Sequence, residues 1–223
     1  NNENIEFAII GDSHAAALAG AFNNYFLKQN VSSYLFTING CPLSFNLYNY
    51  HEKRFACKKY YNEIKEFIDQ DKNIKNIILH SRWGFYVSGE RFNNLEGGKE
   101  IGKNSLFVRS EKDILVDKSK REQIVNDEIE YFIKYLSKER RLYLISSIPE
   151  VGFEVPATLA RSIKFNKSKK LKDFTTSYDV YVDRQKSSNK TFKLLEKDDK
   201  IEFFDSSKVF CNTISRRCNY TYK

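Results

Sequence analysis

Residues 5–18 read IEFAIIGDSHAAAL, and this stretch decides the fold. Ile5 to Ile10 is a short apolar run that ends at Gly11, the length and composition of a buried strand. From Ser13 to Lys28 the apolar residues Leu18, Phe22, Tyr25 and Phe26 recur at helical spacing. Asp12 and Ser13 both have the short polar side chain that caps a helix N-terminus. A buried strand that passes through one glycine into a helix opens a β-α-β unit, and the rest of the chain repeats that rhythm.

Working outward, Ser33 to Ile38 (SYLFTI) reads as a second strand, followed by the turn cluster Asn39-Gly40-Cys41-Pro42. Phe55 to Ile68 has the spacing of an amphipathic helix, and Asn76 to His80 is a third strand. Residues 84–118 are rich in glycine and charge and weakly periodic, so a long excursion is expected there. A helix is expected over Lys118 to Glu139, a fourth strand over Arg141 to Ile148, helices over 157–172 and Tyr178 to Glu196, and a fifth strand over Ile201 to Asp205. Alternating apolar strands and helices imply an α/β three-layer sandwich around a five-stranded parallel sheet. At 223 residues without an internal repeat, one domain is expected. In such sheets the site lies at the carboxyl ends of the strands. Here those ends are Gly11 to His14, Asn39 to Pro42, His80 to Trp83, Ser146 to Glu150, and Asp205 onward.

The formal charge is +8, but it is unevenly spread. Residues 1–50 hold one base, Lys28, and three acids, Glu3, Glu6 and Asp12. Between Arg161 and Lys172 six bases follow one another without an acid. Such a run could meet an anionic surface, although a solvated helix face or a mobile loop is the ordinary reading. No nucleic-acid motif accompanies the charge, so a nucleic-acid partner is not expected. No apolar run reaches the ~18–20 residues of a membrane span.

Cys41, Cys57, Cys211 and Cys218 allow three connectivities. Their spacing does not match a zinc site or a redox pair. Two local pairs, Cys41 with Cys57 and Cys211 with Cys218, suggest two disulfides and an oxidising compartment. Four buried free thiols are the alternative.

The chemistry is concentrated in Gly11-Asp12-Ser13-His14. A serine at a helix N-terminus lies where free backbone N–H groups and the positive end of the helix dipole stabilise an oxyanion. It can act as a nucleophile once a base removes its proton. Simple capping by Asp12 or Ser13 is the bland alternative.

This tetrapeptide resembles the first block of the SGNH (GDSL-like) hydrolases and acetyltransferases. The Ala-rich helix after it is similar to the variant fused to membrane acyltransferase-3 proteins, which O-acetylate bacterial surface polysaccharides such as lipopolysaccharide. Further segments resemble that variant in order: Asn39-Gly40-Cys41-Pro42 after strand two, Arg82-Trp83 after strand three, Ile148-Pro149-Glu150 with Val155-Pro156 after strand four, and Phe204-Asp205 with Cys211 and Cys218 at the end. The resemblance implies a flavodoxin-like SGNH fold and Ser13 as the nucleophile. It implies the Ser13 N–H and the Gly40 N–H as oxyanion donors, with Asp12 and His14 beside them.

The block that normally supplies an Asn side chain offers Arg82 and Trp83 instead. Arg82 could bring positive charge or bind a glycan, or else pair with a carboxylate. Trp83 could stack on a sugar ring, or else fill the core. The family's Asp-x-x-His block, which supplies its acid and base, does not occur in these residues. Of the three histidines, His14 is expected to point away from Ser13, His51 to be an ordinary surface residue, and His80 to face the site or a helix. The chain begins Asn-Asn-Glu and has no Met, so it is expected to be a piece of a longer protein whose base lies beyond residue 223 or has been lost. The resemblance further implies no metal or cofactor, a surface-glycan acceptor, and an acetyl donor supplied by a fused acyltransferase-3 domain. It implies an extracytoplasmic location tethered to the membrane. A catalytically silent glycan-binding module and a carbohydrate acetyl esterase are the alternatives.

Overall fold

A computed structural model describes residues 5–52, 56–165 and 175–219. Five parallel strands form the central sheet: β1 (Ile5–Gly11), β2 (Ser32–Thr37), β3 (Asn76–His80), β4 (Arg141–Ile145) and β5 (Ile201–Phe204). Their order is β2-β1-β3-β4-β5, the flavodoxin-like arrangement. The register brings the carboxyl ends to one edge of the sheet. Gly11 pairs with Thr37 on one side and His80 on the other, His80 pairs with Ile145, and Ile145 with Phe204.

The helices are α1 (Ser13–Lys28), α2 (Ala56–Gln70), α3 (Trp83–Ser88), α4 (Lys118–Ser137), α5 (Val155–Lys164), α6 (Tyr178–Leu195) and α7 (Ser207–Phe210). Local chemistry starts the two longest. The Asp117 carboxylate accepts from Lys120 N–H to cap α4, and Ser177 Oγ accepts from Asp179 N–H to cap α6.

Side-chain alternation sorts the core into two unequal layers. Ala8, Ile10, Ile77, Leu79, Leu142 and Leu144 face the larger one, where they meet Tyr61 and Ile68 of α2, Phe132 and Ile133 of α4, and Phe192 of α6. Ile9 and Ile78 face the other side and meet only Ala15 and Phe26 of α1, with Phe7, Phe22, Tyr143 and Ile145 packed around them. Both faces of a parallel sheet need cover. Each large side chain buried in these layers contributes on the order of 1.5–3 kcal/mol.

The boundaries shift in ways that follow from packing. Strand β4 ends at Ile145 rather than Ile148, because Ser146 Oγ and the Ser146 carbonyl turn to Ser206. The expected start of α2 at Phe55 and the basic run from 166 to 172 lie outside the described residues, and α5 occupies 155–164 instead of 157–172. The excursion is more ordered than its composition suggests. It contains α3, a 3-10 turn at Glu111–Ile114, and a strand Phe107–Val108 that pairs antiparallel with Tyr48–Asn49. A small sheet of Thr175–Ser177, Arg217–Asn219 and Cys211–Asn212 closes the chain.

Both local disulfides are present, Cys41–Cys57 and Cys211–Cys218. The first ties the turn after β2 to α2. Among the described residues no helix is long and apolar enough to cross a membrane.

Candidate active site

Gly11 is required by contact, since a Cβ there would lie 1.9 Å from the His80 carbonyl oxygen and 2.5 Å from Ala15 Cβ. Strands β1 and β3 can approach this closely, and α1 can start here, only if position 11 has no side chain. The next residue is locked. Asp12 is 1% exposed, and its carboxylate accepts from His14 N–H at 2.8 Å, Arg82 N–H at 3.1 Å and the Tyr86 hydroxyl at 2.8 Å. Tyr61 donates to the Gly11 carbonyl at 3.2 Å. Burial first, and the Asp12 carboxylate second, hold both the Tyr61 and the Tyr86 phenol well above its usual pKa, so each stays protonated and donates.

Ser13 is the first residue of α1 and is exposed. Among the described residues its hydroxyl has no hydrogen-bond partner, because Asp12 has taken over the capping. The division of labour is therefore visible: Asp12 caps and Ser13 stays free at a helix N-terminus. Gly40 sits one turn beyond β2, where Ile38 N–H donates to the Gly11 carbonyl, and its φ of 72° suits glycine.

Arg82 does not reach outward. Its guanidinium pairs with Glu100 and Glu150, and it lies over the Phe85 ring with 4.9 Å to the centroid. Burial alone would lower its pKa, but hydrogen bonds and charge from Glu100 and Glu150 outweigh that and raise it. The same contacts carry Glu100 below the usual carboxylate range despite its burial. Glu150 also accepts from Arg184 Nε at 3.0 Å, and Arg91 meets Glu100 at 2.9 Å. The carboxylate partner of Arg82 is thus real, but it lies 18 and 68 residues away, beyond the reach of any local pattern.

Trp83 is fully buried, donates Nε1–H to the Ile145 carbonyl at 2.8 Å, and meets Phe192 edge-on at 5.0 Å. It belongs to the core, and its ring is not accessible for stacking on a sugar. His80 is 1% exposed with Nδ1 at 3.3 Å from the Ile145 carbonyl, and Nε2 has no partner among the described residues. Its ring is 6.2 Å from that of His14, and burial pushes its pKa down to about 4. His80 is therefore a neutral residue beneath the start of α1. His14 is half-buried and lines an open groove of about 560 Å³ together with Arg82, Glu150 and the first turns of α5. His51 is exposed in a turn. Among the described residues no cluster of His, Cys, Asp or Glu could hold a metal ion.

Sequence reasoning missed Tyr86 and Glu100 as site-building residues and placed Glu150 only at a strand end. Tyr86 had a local signal, since it falls one helical turn after Arg82, but its direction depends on α3, which the excursion hid.

One solved structure gives the fold independent support. The periplasmic domain of the Salmonella ser. Paratyphi A lipopolysaccharide acetyltransferase superposes with a TM-score of 0.64 at 16% identity, covering 100% of this chain and 73% of that one. A Streptococcus pneumonia protein associated in its description with platelet activating factor gives a TM-score of 0.45 at 11% identity, over 99% of this chain and 74% of that one. A comparison with curated protein sequences gave no match. The family description "SGNH domain (fused to AT3 domains)" matches residues 1–223. With the 2-1-3-4-5 sheet and the strand-Gly-Asp-Ser-His-helix turn, this match places the chain in the SGNH domain family whose members are fused to AT3 domains.

Proposed function

We propose that this domain transfers an acetyl group to a hydroxyl of a bacterial cell-surface polysaccharide through a Ser13 acyl-enzyme. The observation that carries this reading is the turn at the end of β1. Gly11 admits no side chain, Asp12 is held by three donors, and Ser13 is left exposed and, among the described residues, unpartnered at the N-terminus of α1. The periplasmic acetyltransferase of the same fold and the AT3 fusion typical of the family support the acetyl chemistry.

In the first step Ser13 Oγ bonds to the acetyl carbonyl carbon and its proton passes to a general base. The tetrahedral oxyanion is held by the Ser13 and Gly40 N–H groups, and it collapses as the bond to the donor's leaving group breaks and the base passes its proton to that departing group. In the second step the acceptor hydroxyl gives its proton to the base and bonds to the same carbon, and Ser13 Oγ leaves as the base returns that proton to it. The Asn donor of the family's third block is replaced by Arg82, whose guanidinium is committed to Glu100 and Glu150, so the oxyanion relies on backbone donors. The donor acetyl group would come from the AT3 partner, and the two disulfides suit an extracytoplasmic, membrane-tethered location.

Water as the acceptor makes the same site an esterase, which gives the test. Wild-type full-length protein should release p-nitrophenol from p-nitrophenyl acetate, and Ser13→Ala should lose that release by at least a hundredfold. Equal release by Ser13→Ala would remove Ser13 as nucleophile. A second reading, a silent glycan-binding module, predicts no release by either protein.

A further inference from the structure

Helix α5 has two strips along its length, and the body of the protein uses one of them. Val155, Thr158, Leu159 and Ser162 fall at i, i+3, i+4 and i+7, and these pack inward: Ser162 is buried and the other three are half-buried. Pro156, Ala160 and Ile163, at i, i+4 and i+7, form a second, uncharged strip, and all three are exposed. Ile163 is 70% exposed, and Phe165, the residue that ends the helix, is 61% exposed. Two large apolar side chains within three residues are thus left in water, where they forgo the burial that stabilises a core side chain.

Charge lies on the same exposed side. Arg161 and Lys164 occupy the last turn, and no acid occurs from Val155 to Phe165. Among the described residues neither base forms an ion pair, whereas other exposed bases are matched, as Lys72 is by Glu139 and Lys118 by Glu90. Lys164 Nζ lies 5.7 Å from the centroid of the Phe165 ring, so a cation and an aromatic ring stand side by side.

We propose that the outward side of α5 is a lipid-contact surface, which seats Ile163 and Phe165 at the acyl-chain boundary of an anionic bilayer and Arg161 and Lys164 at its headgroups. A helix with an exposed apolar strip and bases beside it lies in the plane of a membrane interface, held by apolar burial together with attraction to anionic lipid. An apolar protein surface would cover the strip and leave two cations unanswered. An acidic polysaccharide would answer the cations and leave Ile163 and Phe165 in water. Anionic phospholipid offers both contacts in one surface. The fusion of the family to AT3 domains supplies the setting, since the sequence resembles the variant whose partner is a membrane acyltransferase. On its other side α5 lines the groove beside His14 through Val155, Ala157, Thr158 and Arg161. One helix diameter, about 10–12 Å, would then separate that groove from the membrane surface. The lipid contact needs no acetyl chemistry and stands apart from the reading above.

Vesicle sedimentation of the purified 223-residue chain tests this, with vesicles of phosphatidylcholine alone and of phosphatidylcholine mixed equally with phosphatidylglycerol. The chain should bind the mixed vesicles at least tenfold more tightly, and the advantage should shrink as salt rises. The double variant Ile163→Ser/Phe165→Ser should bind them at least tenfold more weakly, while Leu115→Ser, at another exposed apolar position, should match the wild type. Diffuse attraction of a chain with net charge +8 would survive the double variant, so the comparison isolates α5. A second measurement does not depend on that variant's folding. Trp83 is the only Trp and is fully buried, so Phe165→Trp adds the one indole able to meet lipid. Its emission should shift to the blue on mixed vesicles and be quenched by lipid brominated in the acyl chain, while the wild type is not quenched. The proposal is overturned if the wild type does not sediment with mixed vesicles, if phosphatidylcholine alone binds as tightly, if the folded double variant binds as well as the wild type, or if the Phe165→Trp chain is not quenched.

Discussion

Tyr86 donates its hydroxyl to Asp12 Oδ2 at 2.8 Å, joining α3, at the start of the excursion, to the turn that presents Ser13. Both residues are almost completely buried. The position of Ser13 therefore depends on a helix 70 residues downstream, because the Arg82 N–H and the Tyr86 hydroxyl supply two of the three donors to Asp12. Tyr86→Phe removes one of them and leaves a buried carboxylate oxygen short of a partner. Hydrogen bonds to charged groups contribute about 1.5–3 kcal/mol, so a loss of that size is expected in urea unfolding. Esterase activity should fall as well, since Ser13 adjoins the loosened residue.

Glu150 is the junction of the groove's base, since Arg82 and Arg184 both depend on it and its side chain is 7% exposed. Breaking a buried pair from one side costs about 3–5 kcal/mol. Glu100 and the Ser88 hydroxyl still hold the two guanidiniums, so Glu150→Ala should lose about 3 kcal/mol, at the low end of that range. Glu150→Gln, which keeps the shape and one acceptor, should lose less. Urea midpoints of the two variants, measured side by side, check the ordering.

His80 makes stability depend on pH. Its folded pKa is about 4 against an ordinary 6.5, so the unfolded chain binds the extra proton between those values. The contribution of neutral His80 is fully present above pH 6.5 and is lost as pH falls toward 4. While the difference is one proton, the slope is about 1.4 kcal/mol per pH unit. His80→Gln should flatten the stability profile between pH 4.5 and 6. An unchanged slope in that variant would assign the effect elsewhere.

The Cys41–Cys57 bridge closes a 16-residue separation and fixes the turn that carries Gly40. A loop near that size contributes about 3 kcal/mol by restricting the unfolded chain. Replacing both cysteines with alanine should lower unfolding free energy by about that amount. Reductant should lower the wild type by more than the double variant, which has only the Cys211–Cys218 bridge left to lose.

Much of the fold was legible because it rests on local physics. The apolar strands, the helical spacing of Leu18, Phe22 and Phe26, and the Gly-Asp-Ser-His turn are short-range signals, and each strand is found within three residues of its expected limits. The excursion was not legible. The positions of α3 and of residues 92–101 are set by Asn94, Arg82 and Glu150, whose partners are remote in sequence.

The sequence by itself determined the alternation that makes a parallel sheet and the place of Ser13 at a helix start, and it suggested the local pairing of cysteines that the structure contains. All of these depend on contacts between near neighbours along the chain. Only the tertiary structure decided that Asp12 caps α1 and frees Ser13, that Arg82 is held by two carboxylates, that Trp83 is core, and that Phe153 and Ile101 line the groove beside His14. Those outcomes turn on which way a side chain faces once β1, β3 and β4 lie side by side. Direction of that kind is fixed by partners that folding brings together, and no local pattern encodes it.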